Sequence, residues 1–229
     1  MKKIISIFTL IAIVIACKHT ILEPGTVGNS GGGTGGGSST PTDSICFQTE
    51  ILPMYQSYCA SAGCHNSTSR ADGIVLVDYT TIMQGIIPGN PTNSKYFKII
   101  TNNKMPPAGS PQLSATQIAL IQKWITLGAL NNTCPTGCDT SKFTYTSAVQ
   151  TIFANSCNGC HGNAPGSGNV YLGTYASSQA YISANTTLFL KAINHDATLP
   201  AIQRMPQGTK MSDCNIKIIT KWINAGMPK

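Results

Sequence analysis

Lys123-Trp124-Ile125-Thr126-Leu127-Gly128 returns as Lys221-Trp222-Ile223-Asn224-Ala225-Gly226, an offset of 98 residues. Upstream of each, Cys64-His65 returns as Cys160-His161, and Leu76 and Tyr79 return as Leu172 and Tyr175, all at an offset of 96. Self-similarity at a fixed spacing means that one folding unit occurs twice. The copies run from 45 to 134 and from 138 to 229, with only Pro135, Thr136 and Gly137 between them.

Each copy reads as a small helical domain with long loops, so the expected fold class is all-α, as two tandem units. Ser114 and Gln117 form a capping box that opens a helix carrying Ile118, Ile121 and Ile125 on one face with Trp124 beside them, and Gly128 stops it. Ser212, Ile216, Ile219, Trp222, Ile223 and Gly226 repeat the plan. Ahead of the cysteines, Ile51, Leu52, Tyr55 and Tyr58 have helical spacing, as do Val149, Ile152, Phe153 and Ser156. Pro53 falls inside the first of these runs, so that helix starts near it or bends. The segments around Gly73–Tyr79 and Gly168–Tyr175 are short and glycine-rich, and no sheet is evident.

The composition agrees with a folded, exported chain. Of 229 residues 41% are apolar, too many for a disordered polymer, while 7% aromatic is thin material for two cores. Nine cysteines beside only 10% charged residues point to an oxidising compartment, or to cysteines committed to a cofactor or metal. Met1-Lys2-Lys3 followed by the apolar run Ile4–Ala16 has the form of a signal peptide, residues 1–16, too short to span a bilayer. The run ends Val14-Ile15-Ala16-Cys17 and looks like the lipobox of bacterial lipoproteins, in which Cys17 carries the lipid. The competing readings are a secretory signal with an incidental cysteine and an uncleaved membrane helix.

Residues 17–44 then form a lipid-anchored linker, with eight glycines between Pro24 and Thr42 among Ser and Thr. Its 21 residues from Pro24 to Ser44 span roughly 25 Å as a random coil. The expected location is a bacterial membrane, on its periplasmic or cell-surface face. Removal of Lys2 and Lys3 lowers the formal charge from +7 to about +5.

Cys157-Asn158-Gly159-Cys160-His161 is a C-x-x-C-H haem attachment signature. Two thiols add to the two vinyl groups of one haem, and the adjacent histidine becomes an iron ligand. At this chain's composition the motif is expected by chance roughly 0.006 times. In the first copy, Cys59-Ala60-Ser61-Ala62-Gly63-Cys64-His65 has four residues between the thiols where two are usual. Its small residues allow the loop to bulge, and its place in the repeat assigns Cys59, Cys64 and His65 the same task; the alternative is a disulfide between Cys59 and Cys64. Two covalent haem c groups are therefore expected.

A second axial ligand is available in each copy. Met105-Pro106-Pro107 and Met205-Pro206-Gln207 stand at matched places ahead of the Trp-bearing helices. Methionine sulfur favours ferrous iron, and the prolines restrict the backbone beside it. Met54, Met83, Met211 and Met227 have no such matched partners and read as packing residues.

This order of features resembles class I cytochromes c and, more closely, the tandem planctomycete-type cytochrome c domains of bacterial outer-membrane lipoproteins. Ile51-Leu52-Pro53-Met54, Cys64-His65, Pro88-Gly89-Asn90-Pro91, Met105-Pro106-Pro107 and Trp124-Ile125 carry the likeness, which covers residues 45–229. The resemblance implies an all-α haem cradle and electron transfer; the wide first spacer departs from the usual pattern.

Cys46, Cys134, Cys138 and Cys214 remain, and they allow three connectivities. Pairing within copies, Cys46 with Cys134 and Cys138 with Cys214, is the favoured arrangement, and a zinc site from the same thiols is the alternative. His195 reads as a loop or haem-edge residue and His19 as solvated, while Arg204 is either a partner for a haem propionate or a surface arginine.

The leading functional expectation is a tethered dihaem electron carrier with His65/Met105 and His161/Met205 as axial pairs and an unidentified redox protein as partner. A dihaem peroxidase with one open haem, a haem-based sensor and a haem-free disulfide-stapled binding module are the alternatives. Lysines and arginines are scattered, so no nucleic acid is expected as a partner. Two propionates per haem would reduce the charge of the mature chain to about +1.

Overall fold

A computed structural model describes residues 45–133 and 138–229. The signal peptide, Cys17, the linker and Cys134 lie outside the described residues. Every regular element among the described residues is helical, as expected for an all-α chain. None of these helices is long and apolar enough to cross a membrane.

The first copy contains α1 (Leu52–Tyr58), α2 (Tyr79–Ile82), α3 (Lys95–Thr101) and α4 (Ala115–Thr126). The second contains α5 (Gln150–Ser156), α6 (Asn158–His161), α7 (Tyr175–Ile193) and α8 (Asp213–Asn224). A wider π-helical turn leads into each first helix, Phe47–Ile51 before α1 and Tyr145–Val149 before α5. Pro53 is not the cause of that turn, because Thr151 holds the same place in the second copy and the turn persists.

The terminal helices form as their sequences require. Ser114 Oγ accepts from Gln117 N–H while Gln117 Oε1 accepts from Ser114 N–H, at 3.2 and 2.9 Å. Past α4 the chain closes in a Schellman motif, with Ala129 N–H on Trp124 O and Gly128 N–H on Ile125 O. Met227 and Gly226 repeat this on Trp222 and Ile223. Gly128 and Gly226 stand at φ of +98° and +80°, a region open to glycine at little cost.

Each copy has its own apolar cluster. In the first, Phe47, Ile51, Met54, Ile82, Ile121, Trp124 and Ile125 are at most 1% exposed, and the Phe47 ring centroid lies 5.1 Å from Tyr79 and 5.3 Å from Trp124. In the second, Val149, Phe153, Ile182, Ile219 and Trp222 are sealed, with Tyr145 in the place of Phe47. Aromatic pairs of this kind add about 0.5–1.5 kcal/mol each beyond burial. Their polar ends hold the chain tail: Tyr79 Oη and Trp124 Nε1 donate to Ala129 O and Leu130 O, and Tyr175 Oη and Trp222 Nε1 donate to Met227 O and Pro228 O. Met54 and Met211 are buried, and Met83 and Met227 pack against the clusters.

The tail of each copy returns to its start. Phe47 N–H donates to Asn132 Oδ1, and Tyr145 N–H donates to Pro228 O. Both copies lie in one compact unit, where α1 packs against α5 and α6.

The copies differ most between their second tyrosine and the Met-Pro loop. Pro88-Gly89-Asn90-Pro91 interrupts the first copy between α2 and α3, and Gly89, at φ +75°, donates its N–H to Ile125 O at 2.7 Å. The second copy runs through the same region as α7, opened by a capping box of Thr174 with Ser177 and irregular only at Asn185. The sequence reading assigns no helix there. Its residues are rich in Ser, Thr and Asn, and burial of Ser178, Ile182, Phe189 and Ile193 holds the helix rather than a strong apolar stripe.

Candidate functional site

The C-x-x-C-H segment folds locally as α6. His161 N–H donates to Cys157 O at 2.9 Å and Cys160 N–H to the same carbonyl at 3.1 Å, so both sulfurs and the imidazole leave one helical turn. The first copy reaches the same result by another route. Cys64 N–H donates to Ser61 O and His65 N–H donates to Cys59 O, both at 3.0 Å. Ala62 and Gly63 form an exposed bulge, with Gly63 at φ +82° and its N–H on Ser69 Oγ. The first cysteine therefore receives the histidine N–H in both copies, across four residues in one and six in the other.

The next segment fixes each imidazole. Leu76 N–H donates to His65 O and Leu172 N–H to His161 O, at 2.8 and 2.7 Å. His65 Nδ1 lies 3.1 Å from Ala71 O and His161 Nδ1 lies 3.0 Å from Val170 O. A carbonyl only accepts, so each Nδ1 carries a proton, and in a neutral ring that leaves the lone pair on Nε2, where a metal would use it. Burial lowers the His161 pKa against the opposing bonds from Val170 and Ser167, which favours the neutral imidazole.

Cys59, Cys64, Cys157 and Cys160 are free thiols, each partly exposed. Burial, and then the neighbouring Cys64, push Cys59 up to about 12; burial and Cys160 do the same to Cys157. Burial raises Cys160 as well, with Cys64 the second cause. Protonated thiols of this kind are poor thiolate nucleophiles at neutral pH. The other described cysteines are taken: Cys138 pairs with Cys214 at a Cα separation of 5.2 Å, which removes both from any zinc site. Cys46 is also disulfide-bonded, and Cys134, its expected partner, lies outside the described residues.

Met105 and Met205 sit half-buried on loops that precede α4 and α8, and each is joined to its proline by a cis peptide bond. Their own N–H groups donate to Ile99 O and Ala192 O, at 3.3 and 2.9 Å. The carbonyl after each methionine is held by a different side chain. Gln112 Nε2 donates to Pro106 O at 3.1 Å, and also to Pro107 O and Ser110 O. His195 Nε2 donates to Pro206 O at 2.9 Å, which makes it the brace of the Met205 loop. Arg204 donates to Leu199 O and Ala197 O, so its guanidinium steadies the same loop.

Unpaired thiols beside an imidazole with its Nε2 lone pair are the donor set that covalent haem attachment requires, so the residues in both copies fit the group. Among the described residues no three His, Cys, Asp or Glu side chains converge to hold a metal ion by themselves. A porphyrin brings four nitrogen ligands of its own. Nothing in the sequence signals Gln112 as the brace of the Met105 loop, or the contact of Ser57 with Gly159, which spans 102 positions. No protein-family model matches the chain, and comparisons with curated proteins and with solved structures give no significant match.

Proposed function

We propose that the chain is a membrane-tethered dihaem c-type cytochrome that carries electrons. Haem c, when bound, supplies a one-electron ferrous/ferric couple. Cys59 and Cys64 would hold one haem and Cys157 and Cys160 the other, and His65 with Met105 and His161 with Met205 would supply the side-chain ligands to the irons. The Ala71 and Val170 carbonyls keep each imidazole in one tautomer and orientation. Gln112 and His195 restrain the methionine loops, which limits rearrangement as electrons come and go.

The observation that carries this reading is the conserved connection between the first cysteine and the histidine. His65 bonds to Cys59 O as His161 bonds to Cys157 O, although the spacers differ by two residues. Whatever the length of the spacer, each histidine ends beside the first cysteine of its motif, as attachment of one haem per copy would require. The signal-like segment and the glycine-rich linker support the tether, with Cys17 as the lipid anchor.

Expression in a host with c-haem maturation, followed by intact mass and optical spectra, tests the proposal. Two covalent haems and a thioether-to-ferric-iron absorption band are expected. One haem would sink the assignment of Cys59–His65, and none would sink the whole reading.

A further inference from the structure

The second attachment motif packs against the helix that leads into the first. α1, whose end leads into Cys59, packs along α5 and α6 on either side of Cys157. At this crossing Gly159 N–H donates to Ser57 Oγ at 3.0 Å, and Cys160 Sγ lies 3.8 Å from Ser57 O. A side chain at residue 159 would collide with the Ser57 carbonyl and hydroxyl, so glycine sets how closely the copies approach. Tyr58, peptide-bonded to Cys59, donates its hydroxyl to Ala154 O at 2.9 Å. Gln117 Nε2 adds bonds to Ala154 O and Asn155 Oδ1, at 3.1 and 3.2 Å.

Ser57, Gln117 and Asn155 are at most 9% exposed, so the junction is buried, and their polar groups meet one another across it.

We propose that Ser57, Tyr58 and Gly159 form a junction through which one electron passes between the two copies of a single chain. This rests on the haem reading above. The electron lost by one haem c would be the electron gained by the other, so the exchange would balance without a proton or a further reactant. Each of these sulfurs would be a thioether of its haem, so the gap to be crossed would be what separates Cys59 and Cys64 from Cys157 and Cys160. Ser57, two residues from Cys59, fills part of that gap and meets Cys160 directly. Peptide and hydrogen bonds carry electronic coupling better than empty space, and the junction is built of them.

The test uses the full chain matured with haem and begins with intact mass. Fewer than two haems overturns both the haem reading and this inference. With two haems, exchange broadening of the haem methyl resonances in half-reduced protein measures electron exchange. The expected exchange is independent of protein concentration, and is slowed severalfold by Gly159→Val and less by Tyr58→Phe, compared only among variants that intact mass shows to carry two haems. Exchange that scales with concentration, or that no substitution slows, overturns the junction and leaves the haem reading standing. If Gly159→Val fails to fold, Ser57→Ala removes one hydroxyl from the same contact and decides by the same readout.

Discussion

The two cysteine motifs reach one arrangement from different backbones. In the second copy a single helical turn aligns Cys157, Cys160 and His161; in the first, a bulge of small residues replaces the turn, yet His65 still bonds back to Cys59 O. The difference teaches that the constraint lies on the end points and not on the path. Ala62 and Gly63 are exposed and carry no part of the core, so their two extra residues cost little more than the ordering of a loop tip.

The strongest way to break the comparison is to remove thiols from one copy at a time. Cys157→Ala with Cys160→Ala is expected to lose one whole haem by intact mass, and Cys59→Ala with Cys64→Ala the other. Excision of Ala62 and Gly63, which gives the first copy the spacing of the second, is expected to leave two haems. Loss of a haem on excision would show that the bulge itself is needed.

Core substitutions sharpen the comparison next. Trp124 and Trp222 are 1% and 0% exposed, and each joins the aromatic cluster of its copy to the tail through its indole N–H. Trp124→Ala and Trp222→Ala are each expected to cost about 3–5 kcal/mol by denaturant unfolding. Equal losses would mark equivalent cores. A much smaller loss in one copy would mean that it relaxes around the cavity.

Tyr55 and Phe153 occupy matched places before the first cysteine, and they differ by one hydroxyl. Tyr55 Oη is buried with no hydrogen-bond partner, and burial raises its pKa, with Cys59 and Tyr96 as lesser causes. Tyr55→Phe in haem-free protein is expected to raise stability by about 1 kcal/mol, because an unmet polar group is removed. Destabilisation in thermal melts would refute that account.

The smallest effect belongs to surface charge. Asp213 lies 2.9 Å from Lys210 and exists only in the second copy, where the first has Ala115. Lys210 lowers the Asp213 pKa below the usual 3.8, so the contribution of the pair is present above that value and is lost as pH falls through the lowered pKa. Asp213→Asn is expected to shift the melting temperature slightly at pH 7 and not at all at the acid end of the titration. An equal shift at both ends would mean the charge is irrelevant.

The parts of the fold that were legible are those with local causes. Ser114 with Gln117 forms the cap that its spacing predicts, and Gly128 and Gly226 stop the helices where the pattern ends. The matched pairs Leu76/Leu172 and Tyr79/Tyr175 recur in matched backbone positions because the repeat is copied in three dimensions. α7 was not legible, since its polar residues are held helical by tertiary burial at Ile182 and Phe189. The junction at Ser57 and Gly159 was hidden for a different reason. Neither residue type announces a contact, and no periodicity links positions 102 apart. His195 reads from the sequence as a loop or haem-edge residue; it lies just beyond α7, and its hydrogen bond to Pro206 O holds it there.

The return of each copy to its own starting point has an architectural consequence. Phe47 meets Asn132 and Tyr145 meets Pro228, so the chain enters and leaves every copy at one corner. Such a module is punctuated like a bead on a string: another bead can be threaded after the last without opening any that precede it. Concatenation is then a matter of joining ends, and the number of units on one polypeptide becomes a quantity that duplication can change without redesign of the unit.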